Sequence, residues 1–281
     1  MNKKSLLLLL VIGFLLLSSR PLNADVGPKP SVTITVENAP DKSYYLALLS
    51  KEERYGPWMK IDPDNLDLSG KDEKEIEAYT FFATYKDEDG YNFLGNMSGD
   101  MQGNNEYKWT YYPPEEFKVA IYCPDDGTFR LSKSIEREAF NSYFTVDYSA
   151  DDLNIAEDSQ FLLQFLYFLL RVVLTVIIEF IIGHIMGFRS KLERRTIIIV
   201  NIITQVILNA MLMFFDYYAG GLLWMFMFPI GEAAVFLIEL VIYLIAFRRR
   251  KKKLKTFFYT LIANAVTAGI TVLATVMQWS L

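Results

Sequence analysis

Polar side chains interrupt the apolar C-terminal part of the chain at intervals of three or four residues. That spacing places side chains on one face of a helix, and each of four apolar segments carries such a face. The residues on these faces are Arg171, Thr175, Glu179, Asn201, Gln205, Asn209, Glu232, Glu239, Asn264, Thr267 and Thr271. Because polar groups avoid lipid, we expect the faces to meet one another, or a partner subunit, as an intramembrane polar network.

The depth of these residues along the segments predicts two polar layers. Counted at about 1.5 Å per residue from the basic loops, one layer holds Glu179, Asn201, Glu239 and Asn264, and the other holds Arg171, Asn209, Glu232 and Thr271. In the second layer we predict an ion pair between Arg171 and Glu232. A charge at the centre of a membrane helix costs at least about 2.5–3.5 kcal/mol. The carboxyls left without a basic partner therefore either carry protons or bind a cation.

The elements that must position these residues are membrane-spanning helices. The apolar segments cover about 162–188, 196–215, 222–247 and 257–278, and each is long enough to span a bilayer. The loops at 189–195 and 248–255 carry four and seven basic residues, whereas the loop between the second and third segments carries none. The positive-inside rule then places both basic loops in the cytoplasm and both ends of the mature chain outside it. We predict a multi-pass protein of the cell membrane.

Two stretches of this region resemble each other. Residues 179–196 and 239–256 align without gaps, and six of 18 positions are identical, including the leading Glu and the closing Thr. Shared composition accounts for part of the match, since both stretches are apolar runs followed by basic loops. Our hypothesis is that the four helices form two parallel hairpin repeats.

The first 24 residues predict a signal peptide. Lys3 and Lys4 precede an apolar core of about 13 residues, which is short for a spanning helix, and Ala24 ends a plausible cleavage site. An uncleaved anchor is the alternative. The chain then divides into a signal peptide at 1–24, an extracytoplasmic acidic β-rich domain at 25–158 and a transmembrane domain at 159–281.

Alternating apolar residues predict β-strands in the exported domain. The alternation is clearest at 31–36, 117–123 and 143–148. The pairs Asp89-Gly90 and Asp126-Gly127 follow strand-like runs and favour hairpin turns. We predict an antiparallel β-sandwich-like domain, so that the chain as a whole is of mixed class, with a four-helix transmembrane bundle. The segment 72–77 is left open as a strand or a helical turn.

Aromatic residues of this domain form a candidate binding surface. They are Tyr55, Trp58, Trp109, Tyr111 and Tyr112. Such rings stack on sugars or extended peptides, but they also pack in the cores and rims of small β-domains. Residues 25–160 carry 28 acidic against 13 basic side chains, which argues against nucleic acid and other anionic partners.

Other motifs give no catalytic set. Asp62, Asp64 and Asp67 supply oxygens for calcium but lack the Gly and Glu positions of an EF-hand, so a solvated acidic loop is favoured. His184 and Cys123 are the single histidine and cysteine, and Cys123 lies in a strand pattern typical of core packing. We expect no enzyme, no cofactor and no metal site.

The stretches "ADVGPKPSVTI", "WTYYPPEEFKVAIY", "FNSYFTVD" and "VNIITQVILN", with the order of the parts, are similar to a group of uncharacterised bacterial membrane proteins. Proteins of that group have a signal peptide, an exported β-domain and a C-terminal helical bundle. The resemblance covers most of the chain and implies an architecture, without an activity.

Two functions fit these expectations. In the first, the exported domain binds an envelope component or a protein partner, and the helix bundle anchors it and relays the event. In the second, the intramembrane carboxylates pass a proton or a cation, with a homo-oligomer widening the pathway. The lipid bilayer is a partner of the chain in both.

Overall fold

The computed structural model describes residues 29–149, 152–159, 161–248 and 253–279, with side chains in the last range up to Thr275. A β-rich region comes first and long apolar helices follow it. The predicted signal peptide and residues 249–252 of the second basic loop lie outside the described residues. The chain is therefore of mixed class, as predicted.

Two main sheets and one small ribbon make up the β-domain. The strands are β1 (Ser31–Glu37), β2 (Tyr45–Ser50), β3 (Arg54–Tyr55), β4 (Trp58–Met59), β5 (Asn92–Met97), β6 (Glu106–Trp109), β7 (Glu116–Cys123), β8 (Thr128–Leu131), β9 (Ile135–Glu136), β10 (Asn141–Asp147) and β11 (Asn154–Glu157). The first sheet has the order β11-β10-β1-β6, and the second has the order β5-β2-β7-β8 with β9 also paired to β7. Strands β3 and β4 pair with each other. The pairing is antiparallel except between β1 and β10, which run parallel from Ser31↔Asn141 to Glu37↔Asp147.

One hydrophobic cluster joins the two main sheets. It contains Ile34 and Phe144 from the first sheet and Leu46 and Ile121 from the second, all with no exposed surface. The alternation seen in the sequence of β1 corresponds to side chains that point into this cluster, such as Val32, Ile34 and Val36.

A helix covers the other face of the second sheet. This helix, α1 (Glu73–Thr84), begins at Asp72, whose side chain accepts a hydrogen bond from the Glu75 N–H at 2.8 Å. Its Ala78, Tyr79 and Phe82 are buried against β2, β5 and β7. The strand predicted before Asp89-Gly90 is therefore wrong, because the aromatic run belongs to this helix. Asp126-Gly127 does connect the antiparallel strands β7 and β8, as predicted.

Three helices of the described residues are long and apolar enough to cross a membrane. They are α2 (Phe161–Ile185), α3 (Lys191–Ala246) and α4 (Lys253–Trp279). Large apolar side chains on them face outward: Leu162, Ile207 and Leu273 are 68%, 63% and 65% exposed. An apolar exterior of this kind is typical of helices that contact lipid.

Helix α3 folds back on itself at Gly220. The backbone there has φ 74° and ψ 177°, outside the helical region, and this conformation is essentially restricted to glycine. The Asn201 amide contacts the Tyr243 hydroxyl at 3.0 Å and the Thr204 hydroxyl contacts the Glu239 carboxyl at 2.7 Å. Residues 191–219 and 221–246 thus lie side by side, and we call them the first and second arms of α3.

Local signals set the turn between α2 and α3. Gly187 has φ +78°, and the Phe188 N–H donates to the Gly183 carbonyl at 2.9 Å, which ends α2. Ser190 and Glu193 then form a reciprocal capping box that begins α3.

The β-domain rests on the end of the helices where α3 folds back. The Phe140 N–H donates to the Tyr217 carbonyl at 2.7 Å. The Phe140 ring lies so close to Gly220 that a Cβ there would be 2.5 Å from the ring. A side chain at position 220 would therefore displace either the ring or the turn.

Candidate functional site

A cluster of buried polar side chains lies where α2, α4 and both arms of α3 meet. We call it the carboxyl cluster, and its members are Glu179, Asn201, Thr204, Glu239, Tyr243, Tyr259 and Asn264. Thr204 and Asn264 are 7% and 5% exposed, and the other five have no exposed surface. The four-residue spacing of polar groups in the sequence brings Glu179, Asn201, Glu239 and Asn264 to the inner faces of their helices.

Neutral donors satisfy the carboxyl group of Glu239. The Thr204 hydroxyl donates to Oε1 at 2.7 Å and the Asn264 amide donates to Oε2 at 2.9 Å. The Thr204 hydroxyl also lies 3.0 Å from the Val200 carbonyl, which gives its proton a second acceptor. Glu239 can therefore be held in either its charged or its neutral form.

The carboxyl group of Glu179 has no such partners. Both of its oxygens are buried and lack a hydrogen-bond partner among the described residues. The Asn201 amide lies close to this carboxyl, but the contact does not have hydrogen-bond geometry. Neither Glu179 nor Glu239 forms an ion pair with a basic side chain in the part of the chain that the structure describes.

Two amide groups are locked with their oxygens unpaired. The Asn201 Nδ2 group donates to the Ile197 carbonyl and the Tyr243 hydroxyl, both at 3.0 Å. The Asn264 Nδ2 group donates to the Thr260 carbonyl at 3.0 Å and to Glu239. Reversing either amide would place its oxygen against a carbonyl oxygen, so the orientation is fixed. Each Oδ1 is buried without a hydrogen-bond partner among the described residues.

The predicted ion pair between Arg171 and Glu232 is not formed. The Arg171 guanidinium donates to the Tyr167 carbonyl at 3.4 Å, and the nearby acidic group is Asp216. A long basic side chain extends towards the end of its helix, where water solvates the charge better. The Glu232 side chain is half-buried, and its Oε2 has no partner in the described structure.

The other predicted network residues lie in two groups. Arg171, Thr175, Thr267 and Thr271 line a cavity of about 350 Å³ between α2 and α4. Gln205 and Asn209 are buried on the first arm, where the Asn209 amide donates to the Gln205 carbonyl and side chain at 2.9 and 3.2 Å. Neither group includes a carboxylate.

Sequence reasoning missed three members of the cluster as site residues. Tyr243 lies four residues after Glu239, on the same helix face. Thr204 lies three residues after Asn201, so helical spacing was the signal that could have found it. Tyr259 lies outside the polar stripe of α4, and no spacing identifies it. Its hydroxyl donates to the Glu179 carbonyl oxygen at 3.4 Å.

Of the five aromatic residues predicted to form a binding surface, some are buried in the core and others are exposed. Trp109 is 1% exposed and belongs to the core, so it is not available to a ligand. Trp58 packs edge-on against it at 5.6 Å, and both indole N–H groups donate to the Tyr111 carbonyl. Tyr55 also packs against the core, which leaves Tyr111 and Tyr112, each 37% exposed, at the surface.

Hydrogen bonds between side chains and backbone N–H groups shape the acidic loop that contains Asp62, Asp64 and Asp67. The carboxylates of Asp62 and Asp67 accept hydrogen bonds from the N–H groups of Asp64 and Ser69, both at 3.1 Å. These are local turns that need no bound ion.

A cavity of about 560 Å³ lies between the β-domain and the helices. Its apolar walls include Met213, Phe214 and Phe161, and its polar groups include Gln164 and Glu157. Burial, and secondarily the neighbouring carboxylate of Glu138, raises the pKa of Glu157 above its usual value. The cavity has the size of a small-molecule site and combines an apolar wall with an acidic one.

Comparisons with protein-family models, with curated proteins and with solved structures find no match to this chain. The site must therefore be interpreted from its own chemistry.

Proposed function

We propose that this protein is a non-enzymatic multi-pass membrane protein whose exported β-domain binds an envelope component at its junction with the helices. The cavity between Phe161, Phe214 and Glu157 carries the proposal. In this arrangement both arms of α3 cross the membrane, so that the chain has four spans. The β-domain and the C-terminus lie outside the cytoplasm and both basic loops lie inside it.

The lining of the cavity indicates the chemistry of its ligand. Apolar side chains from α2 and the first arm face acidic side chains, Glu157 and Asp158, from the end of the β-domain. No basic side chain lies among the lining residues that the structure describes. An amphiphile with a positively charged amine satisfies both walls, since it presents hydrocarbon to the helices and a cation to the carboxylates.

The contact between Phe140 and Gly220 couples the cavity to the two arms of α3. Phe140 is next to the cavity-lining residues Ala139 and Asn141 in the chain, and it touches the fold-back of α3 through its backbone and its ring. A ligand that separates the cavity walls would move Phe140 relative to Gly220. Binding outside the membrane would thereby reach both arms of α3.

Native mass spectrometry of the full chain with added lipid tests the proposal. We expect phosphatidylethanolamine, which has an amine, to bind better than anionic phosphatidylglycerol. Gln164→Trp places an indole in the cavity and should remove the bound lipid, and Glu157→Gln should reduce the preference for the amine.

A matched control is Leu237→Trp, which adds the same ring at a 58% exposed position on the second arm. It should bind lipid as the wild type does. Equal binding by Gln164→Trp and Leu237→Trp would contradict the proposed site.

A second candidate function is proton or cation movement through the bundle, and the burial of Glu179 and Glu239 favours it. Its test is ion flux into proteoliposomes, compared between the wild type and Glu179→Gln with Glu239→Gln. Wild-type flux no greater than in empty liposomes would contradict this function.

A further inference from the structure

We propose that the carboxyl cluster is a binding site for one monovalent alkali cation, with Glu179 as its charged ligand. The inference deepens the second candidate function, but it concerns binding and does not require that the ion crosses the membrane. It is independent of what the β-domain binds.

The unpaired atoms of the cluster are mainly hydrogen-bond acceptors. Glu179 contributes two buried oxygens without partners, and Asn201 and Asn264 contribute one each. Buried polar groups are nearly always paired, so four buried acceptors without a partner in the described structure suit a ligand from outside the chain that accepts their lone pairs. Carboxylate and amide oxygens are ligands that hard cations prefer.

Hydrogen bonds fix the orientation of both amides. Both hydrogens of the Asn201 amide are used on the Ile197 carbonyl and the Tyr243 hydroxyl. Both hydrogens of the Asn264 amide are used on the Thr260 carbonyl and on Glu239. These four acceptors hold the two amide nitrogens, so that neither amide oxygen receives a hydrogen bond within the described structure. Such preorganisation lowers the cost of ordering ligands on binding.

A proton alone does not satisfy the same atoms. One proton on Glu179 creates a single donor, which can reach one amide oxygen and leaves the other unpaired. The ionisable groups that face Glu179 from the second arm and α4 are Glu239, Glu232, Tyr243 and Tyr259, and none of them is a cation. A bound cation supplies the missing positive charge and accepts several oxygens at once.

The number and charge of the free ligands favour a monovalent ion. Calcium takes six to eight oxygen ligands, whereas the cluster has four unpaired oxygens. Both oxygens of Glu239 already accept hydrogen bonds from Thr204 and Asn264. One carboxylate with two neutral amide oxygens balances a single positive charge.

Equilibrium binding of radioactive sodium to the full chain in lipid nanodiscs tests the site. The medium is N-methyl-D-glucamine chloride at constant ionic strength, with potassium, lithium and calcium as competitors. We expect saturable sodium binding at about one ion per chain, displaced by an alkali cation and not by calcium at equal concentration. Glu179→Gln should abolish it, and Asn201→Leu should weaken it.

Asp216→Asn is the matched control, because it makes the same carboxyl-to-amide change at a carboxyl of the first arm. Asp216 lies beside Arg171 and is not among the groups that face Glu179, so this variant should leave sodium binding unchanged. If Glu179→Gln does not fold, the wild type still provides a test, because its unfolding temperature should rise with sodium at constant ionic strength.

Absence of saturable alkali-cation binding in the wild type would overturn the inference, since protons or water would then satisfy the cluster. Retained binding in Glu179→Gln, or binding of calcium in preference to sodium, would also overturn it. Binding without ion flux in proteoliposomes supports the site and contradicts the second candidate function.

Discussion

Lys118 in the β-domain and Glu179 among the helices are both buried ionisable residues, yet only Lys118 has partners of opposite charge. The Lys118 ammonium lies 3.0 Å from both oxygens of Asp87 and 2.6 Å from Asp89. Both carboxyl oxygens of Glu179 lack a hydrogen-bond partner in the described structure. The β-domain thus neutralises the charge of Lys118 with its own carboxylates. Glu179 has no such counter-ion among the described residues, and in our proposal its counter-ion is a cation from outside the chain.

Lys118→Met should have the largest effect on stability. It leaves the Asp87 carboxylate, whose side chain is 2% exposed, buried without its counter-ion. Removing one partner of a buried pair destabilises by about 3–5 kcal/mol, measured as the free energy of unfolding of the β-domain in the full chain. Lys60→Met breaks an exposed pair with Glu53 and should change this value by less than about 1 kcal/mol. Equal losses in the two variants would remove the contrast between buried and exposed pairs.

Glu179→Leu should act in the opposite direction. A buried polar group without a hydrogen-bond partner carries a desolvation penalty of about 1–3 kcal/mol. An apolar side chain of similar size removes that penalty, so we expect a neutral or stabilising change. The measurement is unfolding of the helices in sodium-free and potassium-free medium. Glu239→Leu is the comparison, because it leaves the Thr204 and Asn264 donors without their acceptor and should destabilise. A clear loss of stability in Glu179→Leu would mean that Glu179 has a partner within the protein.

Gly220→Ala examines the place where the two regions touch. The positive φ and the Phe140 ring both oppose a Cβ, so we expect a loss of about 1–3 kcal/mol and weaker contact between the β-domain and the helices. Hydrogen exchange of the Phe140 amide reports this contact. Gly269→Ala should leave the exchange unchanged, because a Cβ at that position would meet open space. Unaltered exchange in Gly220→Ala would show that the junction does not depend on this turn.

The smallest effect concerns an exposed pair of the β-domain. Hydrogen bonding from Lys42, and then from Thr128, lowers the pKa of Asp126 from 3.8 to about 2. The Lys42–Asp126 pair therefore stabilises the folded β-domain above pH 3.8, and this stabilisation is lost as the pH falls through about 2. Carboxyl titration by NMR with labelled aspartate should show this midpoint, and Lys42→Ala should move it back towards 3.8. Asp147, which is paired with Asn38 and Ser149, should keep its pKa in that variant.

The sequence predicted those parts of the fold that depend on local periodicity. Strands β1, β7 and β10 follow the alternation, and the polar stripes of the helices bring Glu179, Asn201, Glu239 and Asn264 into one buried region. The aromatic run of α1 has strand propensity and therefore predicts a strand. The observed helix depends on the Asp72 cap and on packing against the sheet.

The sequence did not predict which distant side chains come into contact in the fold. Depth along a helix puts Arg171 and Glu232 at a similar level but does not say which way a long side chain extends. The predicted ion pair failed because the Arg171 guanidinium lies on the Tyr167 carbonyl and near Asp216. The cavity at the junction joins residues near 140 and 158 with residues near 164 and 214. No spacing pattern in a single sequence relates such distant segments.

The parallel pairing of β1 with β10 has a consequence for the order of folding. Ser31 pairs with Asn141, so the central pair of the first sheet joins segments 110 residues apart. Contacts of this separation form slowly, because a long loop must close before any of them stabilises the sheet. During synthesis at about 5–20 residues per second, β1 must wait at least about 5 seconds for its neighbour. Strand β10 emerges only shortly before α2, so the β-domain completes its core at about the time when the first long apolar helix follows it.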